Sequence, residues 1–280
     1  MIRQKIASLK IAHTTEEKQA KIKQICIGLI EAFATVCLKH NLKWWVDGGT
    51  LLGAVREGKI IDWDDDVDVV MLRDDYTKLV KLCEKNPYIF GENYFFQTAV
   101  TDKYLETFTK LRDNTTTALT PREYSMSHNR GMFIDIFPLD SVPEYLQVRE
   151  DIGGFVRTVA KHTGQDRALS ERERAWKTLN HVLQQVDKMN EHSEYLMNTA
   201  FLRYTNDCVL LKKSWYEKTV MIPLESIFVP IPHQMEQVLS AWYGNWQTPT
   251  QNTFHGYVDP FTSYKEYDGL TKEEFEYLIK

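Results

Sequence analysis

No run of about 18 consecutive apolar residues occurs in the chain, so nothing in it reads as a transmembrane helix. No C-x-x-C pair occurs either. The four cysteines, Cys26, Cys37, Cys83 and Cys208, are scattered, which argues against a zinc site and a disulfide framework; they read as reduced, mainly buried thiols. A basic excess is also missing. Lys and Arg number 34 against 39 Asp and Glu, the formal charge is −5, and no basic stripe is present, so a nucleic-acid partner is not expected. Residues 1–24 lack the apolar centre of a secretory signal, and a cytoplasmic location is expected. What the chain does have is core material. At 43% hydrophobic and 12% aromatic it can bury a substantial interior, which excludes disorder for most of its length.

Local patterning divides the chain. Thr14 followed by Glu17 has the form of a capping box. Ile22, Ile25, Cys26, Leu29, Ile30, Phe33, Val36 and Cys37 then recur at helical spacing as far as His40-Asn41. Residues 44–47 read as a short strand, 50–56 as one or two helical turns, and 67–71 as a second strand. Asp74 is the expected cap of a helix running to about Glu84, which Asn86-Pro87 breaks. Residues 94–99 and 106–112 are expected to pair as strands, and 131–137 forms another that Pro138 stops. Residues 145–213 contain no proline and carry helical patterning. From Trp215 to Pro232 short, proline-punctuated strands return, and a helix with Met235, Val238, Leu239, Trp242 and Tyr243 is closed by Gly244. The mixture predicts an α/β (α+β) fold. A mixed β-sheet core flanked by helices is expected over 1–144, a helical insertion over 145–213, and an aromatic-rich C-terminal region over 214–280 that packs on the core.

The chemistry concentrates between Trp44 and Met71. Gly48-Gly49-Thr50 lets backbone N–H groups approach an anion closely. If residues 67–71 form a strand, Asp66 and Asp68 project from one face and repel each other unless a cation lies between them. Mg²⁺ suits that position, with Mn²⁺ as its substitute, because Mg²⁺ is held through one or two carboxylates plus substrate phosphates. Asp135 lies inside an apolar strand, where an unpaired charge would cost several kcal/mol. Its blander alternative is a buried Arg partner. Asp64 shares the parity of Asp66 and Asp68 but lies outside the apolar stretch. Arg56, Lys110 and Arg112 suit phosphate oxygens, with surface ion pairs as the alternative. Arg122, His128 and Arg130 precede the Asp135 strand and are open to ligand contact or to solvation. By its residues alone His255 is more simply structural than catalytic. Trp242, Tyr243, Trp246 and Tyr257 suit stacking on a sugar or cation–π contact with choline, core packing being the simpler reading.

Four segments together resemble the LicD family, the bacterial relatives of fukutin-type proteins: Gly49-Thr50-Leu51-Leu52-Gly53-Ala54-Val55-Arg56, Trp63-Asp64-Asp65-Asp66-Val67-Asp68, Lys110-Leu111-Arg112 and Phe133-Ile134-Asp135-Ile136-Phe137-Pro138-Leu139-Asp140. The resemblance is strong over residues 28–145 and weaker through Trp215-Tyr216, the Ile227 to Pro232 segment and Tyr243-Gly244 to His255. It implies a nucleotidyltransferase-like fold whose signature falls on Gly48-Gly49-Thr50, on Asp66 with Asp68, and on Asp135. It also implies Mg²⁺-dependent transfer of a phospho-alcohol, phosphocholine foremost, from a CDP-alcohol such as CDP-choline. The acceptor would be a hydroxyl of a cell-surface glycan or its lipid-linked precursor, met at the inner face of the membrane, and CMP would leave. On this resemblance Asp66, Asp68 and Asp135 are expected to be catalytic and to hold the metal. Gly48, Gly49, Thr50, Arg56, Lys110, Arg112 and His255 are expected to bind substrate.

Two positions depart from the family pattern. Glu57 stands where His usually follows the first motif's Arg, and Asp62 where Pro usually precedes the Trp. Both lie on the spacer loop, so donor or acceptor preference is where a difference is expected. The triad leaves open a nucleotidyltransferase that uses a nucleoside triphosphate and releases pyrophosphate, and a non-catalytic glycan-binding relative. Choline, ethanolamine, glycerol and ribitol all remain open as the donor alcohol.

Overall fold

Thr14 opens the first helix as the sequence predicts. Its hydroxyl accepts the Glu17 N–H at 3.2 Å, and the Glu17 carboxylate accepts the Thr14 N–H at 2.8 Å. The resulting helix α1 (Thr15–Lys39) buries Ile25, Cys26, Leu29, Ile30, Phe33, Val36 and Cys37 along one stripe. In this computed structural model the described residues are 13–104, 106–164, 166–204, 209–249 and 256–279.

Behind α1 lies a mixed sheet. Its strands β1 (Trp45–Val46), β2 (Val67–Leu72), β3 (Tyr94–Gln97), β4 (Thr109–Asp113) and β6 (Phe133–Ser141) run in the order β1-β2-β6-β4-β3. β2 and β6 are parallel; the other neighbours are antiparallel. Side chains alternate across the sheet. Val67, Val69, Ile134, Ile136 and Leu111 are fully buried and share one core cluster with Ile25, Leu29 and Phe33 of α1. Each such side chain contributes roughly 1.5–3 kcal/mol on burial. The intervening positions, Asp68, Asp135 and Lys110, carry charge.

Helix α2 (Gly48–Glu57) joins β1 towards β2, and α3 (Arg73–Lys85) follows β2 directly. Two expectations are corrected here. Asp74 lies inside the first turn of α3, where its charge opposes the positive end of the helix, and Leu72 occupies the cap. Pro138 does not stop its strand. β4 pairs only as far as Ile136, so at Pro138 the strand is flanked by β2 alone, and a missing N–H is tolerated where one side has no partner.

Beyond Pro138, β6 ends in a buried charge pair. Arg73 and Asp140 are almost wholly enclosed; Arg73 Nη2 donates to Asp140 Oδ2 at 2.7 Å, and Thr199 Oγ1 donates to the same carboxylate. That pair anchors the helical segment. α4 (Leu146–Ala160) and α5 (Leu169–Met189) bury Ile152, Val156, Leu179 and Leu183 with Val142, Met197 and Leu202 in a second cluster. Strand β7 (Tyr195–Met197) pairs with β6 at Asp140 and Ser141, and β8 (Leu211–Lys212) pairs with β7.

The expected strands after Trp215 form the hairpin of β9 (Thr219–Leu224) and β10 (Ile227–Pro232). The expected helix follows as α6 (Met235–Tyr243), with Gly244 at its C-cap. Near the end β11 (Tyr257–Asp259) pairs with β5 (Thr117–Leu119), and α7 (Lys272–Leu278) closes over them. Cys26, Cys37 and Cys83 are free and buried, as expected; Cys208 lies outside the described residues. Among the described residues no helix is long and apolar enough to cross a membrane.

Candidate active site

The β-branched run of β2 holds an extended chain, and α2 is docked onto it by two hydrogen bonds to the Asp68 backbone. Asp47 N–H donates to the Asp68 carbonyl at 3.0 Å, and the Asp68 N–H donates to Thr50 Oγ1 at 3.0 Å. The glycine pair is therefore the first turn of α2, pressed against Asp68. Gly48 adopts φ +54°, and a Cβ there would run into the Asp68 carboxylate. A Cβ at Gly49 would lie 2.7 Å from Asp64 Oδ2.

Register then assembles the acids. Asp68 stands beside Asp135 across the parallel β2–β6 pair, and Lys110 stands beside Asp135 across the antiparallel β6–β4 pair. Asp66, just before β2, projects from the same face as Asp68. Carboxylate oxygens of Asp66, Asp68 and Asp135 all lie within 4.8 Å of one another. The partner of Asp135 is Lys110, whose ammonium also lies 3.4 Å from the Phe133 ring centroid.

Crowding sets the electrostatics. Burial, then the neighbouring Asp66 and Asp135 charges, push the Asp68 carboxyl well above its ordinary range against the pull of Lys110. Burial raises Asp135 to about 7, with Lys110 opposing. Asp47 is also raised by burial to about 7, with the Gly48 N–H opposing, and its Oδ1 has no hydrogen-bond partner. A carboxylate group destabilised in this way, offering oxygen ligands only, fits a hard divalent cation such as Mg²⁺ or Mn²⁺.

The acids form one end of a cavity of about 530 Å³. Lys110 lies beside them. Phe108, Phe137, Phe201 and Tyr204 form much of the remaining wall, with Glu106 and Arg122 at its polar edge.

Other expected site residues lie elsewhere. Arg112 is fully buried behind the cavity, where Nε donates to Gln97 Oε1 at 2.6 Å, Nη1 to the Gly131 carbonyl at 3.0 Å and Nη2 to Glu123 Oε1 at 3.1 Å. Arg56 hydrogen-bonds Glu57 and lines a separate cavity of about 310 Å³ with Gly49, Trp63, Asp64, Tyr243 and Trp246. His128 is buried against Glu123, and Arg130 is buried with the Tyr124 carbonyl and Asp268, whereas Arg122 reaches the main cavity. The aromatic stripe divides: Tyr257 packs in the C-terminal cluster, away from Tyr243 and Trp246. His255 lies outside the described residues.

Glu106, Phe201 and Tyr204 were not singled out by sequence reasoning as site residues. A signal existed for the first: Glu106, Phe108, Lys110 and Arg112 share one strand parity. The other two belong to the 145–213 segment and reach the cavity only through tertiary packing.

Comparison with known proteins gives this geometry a relation. Residues 41–163 match the nucleotidyltransferase domain of the LicD/FKTN/FKRP family, a stretch that includes all three acids, the glycine turn and Lys110. Over 121 residues the chain is 31% identical to the lipopolysaccharide cholinephosphotransferase LicD of Haemophilus influenzae, covering 42% of this chain and 43% of that protein. Over 49 residues it is 41% identical to the ribitol 5-phosphate transferase FKRP of Homo sapiens, covering 18% of this chain and 8% of that protein. The chain thus spans less than half the length of the curated relatives it matches. Residues 41–163 thus carry the match to the LicD/FKTN/FKRP nucleotidyltransferase domain family.

Proposed function

We propose that this protein transfers a phospho-alcohol, phosphocholine foremost, from a CDP-alcohol donor to a hydroxyl of a cell-surface glycan or its lipid-linked precursor, releasing CMP. The observation that carries the reading is the convergence of Asp66, Asp68 and Asp135 within 4.8 Å inside a domain shared with cholinephosphate and ribitol 5-phosphate transferases. A divalent ion held by these carboxylates would neutralise charge on the donor diphosphate and on the departing CMP.

The chain's own groups do the rest. The N–H groups at the start of α2 meet phosphate oxygens beside Asp68, where the helix end favours an anion. Lys110 holds Asp135 in place and offers positive charge at the cavity's edge. Arg112 acts at a distance, fixing Gln97, Gly131 and Glu123, the last of which lines the cavity. Arg56 reads best as a contact for a group bound in the smaller cavity on the α2 side. In-line attack by the acceptor hydroxyl on the distal phosphorus forms the phosphodiester as the bond to CMP breaks, and the hydroxyl proton leaves to base.

The test is calorimetric binding of CDP-choline, with and without Mg²⁺, to wild type and Asp68→Asn, paired with a CMP-release assay. Metal-dependent binding that the variant loses, together with loss of CMP release, is the expected result. Near-wild-type release from Asp68→Asn would sink the assignment. Pyrophosphate release from a nucleoside triphosphate would replace it with nucleotidyl transfer.

A further inference from the structure

The cavity wall away from the acids has the chemistry of a cation site. Glu106, Phe108 and Lys110 alternate onto one face, as do Phe133, Asp135 and Phe137 of β6. One pleat beyond the Lys110–Asp135 level, Phe108 packs on Phe137 with ring centroids 4.5 Å apart. Phe201 continues the surface at 5.1 Å from Phe137, and Tyr204 follows at 6.4 Å from Phe201. At the end of this aromatic run the Glu106 carboxylate, 8% exposed, accepts the Tyr204 hydroxyl.

A cation already occupies part of that surface. The Arg122 guanidinium lies 5.7 Å from the Tyr204 ring centroid, and Nη1 is 3.7 Å from Glu106 Oε1. Its own side chain is 56% exposed, so it can swing into solvent at little cost.

We propose that Phe137, Phe201, Tyr204 and Glu106 form a head-group site that takes a quaternary ammonium, displacing Arg122; the proposal rests on the phospho-alcohol reading above. The spacing suits it. Two residues along a strand span roughly 7 Å, which leaves room for a phosphate at the acid level and for the amino end of a short amino-alcohol ester one pleat away. The chemistry suits it as well. Ring faces and a carboxylate attract a methylated ammonium, which makes no hydrogen bonds of its own. A polyol head group such as glycerol or ribitol would set most of its hydroxyls against rings that cannot pair them, with Glu106 and the Tyr204 hydroxyl as polar partners at one end.

The experiment is titration calorimetry in Mg²⁺ with CMP, CDP-choline and CDP-glycerol, on wild type, Glu106→Gln and Phe201→Leu. Wild type is expected to bind CDP-choline roughly tenfold or more tighter than CDP-glycerol. Either substitution should bring that ratio close to unity, while CMP, which has no head group, reports that the fold and the nucleotide site survive. Equal affinity of wild type for the two donors overturns the head-group site, as does a ratio that persists in both variants. Failure of wild type to bind even CMP overturns the underlying donor reading, and the head-group site falls with it.

Discussion

Asp68 and Asp135 occupy the same register position on the parallel strands β2 and β6, with Asp66 beside them and Lys110 on the outer flank of Asp135. Strand pairing that would ordinarily bring two apolar residues together here brings two carboxylates together. Burial and mutual repulsion both disfavour their ionised forms. The arrangement costs the metal-free fold stability and offers a cation a prepared set of oxygens in return. Function and stability pull in opposite directions at this point.

Asp68→Asn therefore has a two-sided expected outcome. The amide removes one of the crowded charges while keeping the shape, so the metal-free variant should be more stable than wild type by about 1 kcal/mol. Added Mg²⁺ should raise the melting temperature of wild type, because a ligand bound only by the folded state stabilises it. That rise should disappear in the variant. Thermal melts with and without Mg²⁺ read both effects. A variant that is less stable without metal would show that the three acids are already satisfied by the protein.

Part of this was legible in the sequence because it is local. The alternation of Asp66 and Asp68 around Val67, the glycine pair before them, the Thr14–Glu17 box and the acid within residues 131–137 each announce themselves within a few residues. What the sequence withheld is long-range. That Lys110, not an arginine, meets Asp135 follows from the antiparallel register of β4 on β6, which no local pattern encodes. Arg112 has the residue type of a phosphate ligand, yet the next pleat along β4 turns it into a buried brace. Pro138 misled for the same reason: whether proline ends a strand depends on whether a neighbour still needs its N–H.

The brace behind the site gives a pH-dependent expectation. Burial alone would raise the Glu123 carboxyl, but the Arg112 guanidinium and the His128 hydrogen bond outweigh it and hold it well below its ordinary value of 4.5. Its folded value is depressed, so its contribution is fully present above pH 4.5 and is lost as pH falls towards the folded value. Glu123→Gln, which leaves Arg112 buried without its counter-ion, should cost about 3 kcal/mol at neutral pH. The gap between variant and wild type should shrink as pH falls below 4.5, because the unfolded chain then takes up the proton that the folded carboxylate resists. Urea midpoints at neutral pH and at about pH 3.5 measure it. A gap of constant size would mean that shape, and not charge, is what Glu123 supplies.

The glycine pair separates the two ways a small residue can matter. Gly48 is in the left-handed region at φ +54°, which costs other residues roughly 1–2 kcal/mol, and its missing Cβ is where the Asp68 carboxylate sits. Gly48→Ala should therefore lower stability by that amount and weaken Mg²⁺ binding about tenfold or more, since the displaced carboxylate is one of the metal group. Gly49 has ordinary helical backbone, and its Cβ would meet only the end of the Asp64 side chain at 2.7 Å, which can rotate away. Alanine there also gains helix propensity, so Gly49→Ala should be close to neutral in stability and should change Mg²⁺ affinity little. Thermal melts and Mg²⁺ titrations of the two variants, run side by side, make the comparison. Equal losses at both positions would show that the turn needs glycine for flexibility throughout, and that the close approach to Asp68 is not what selects it.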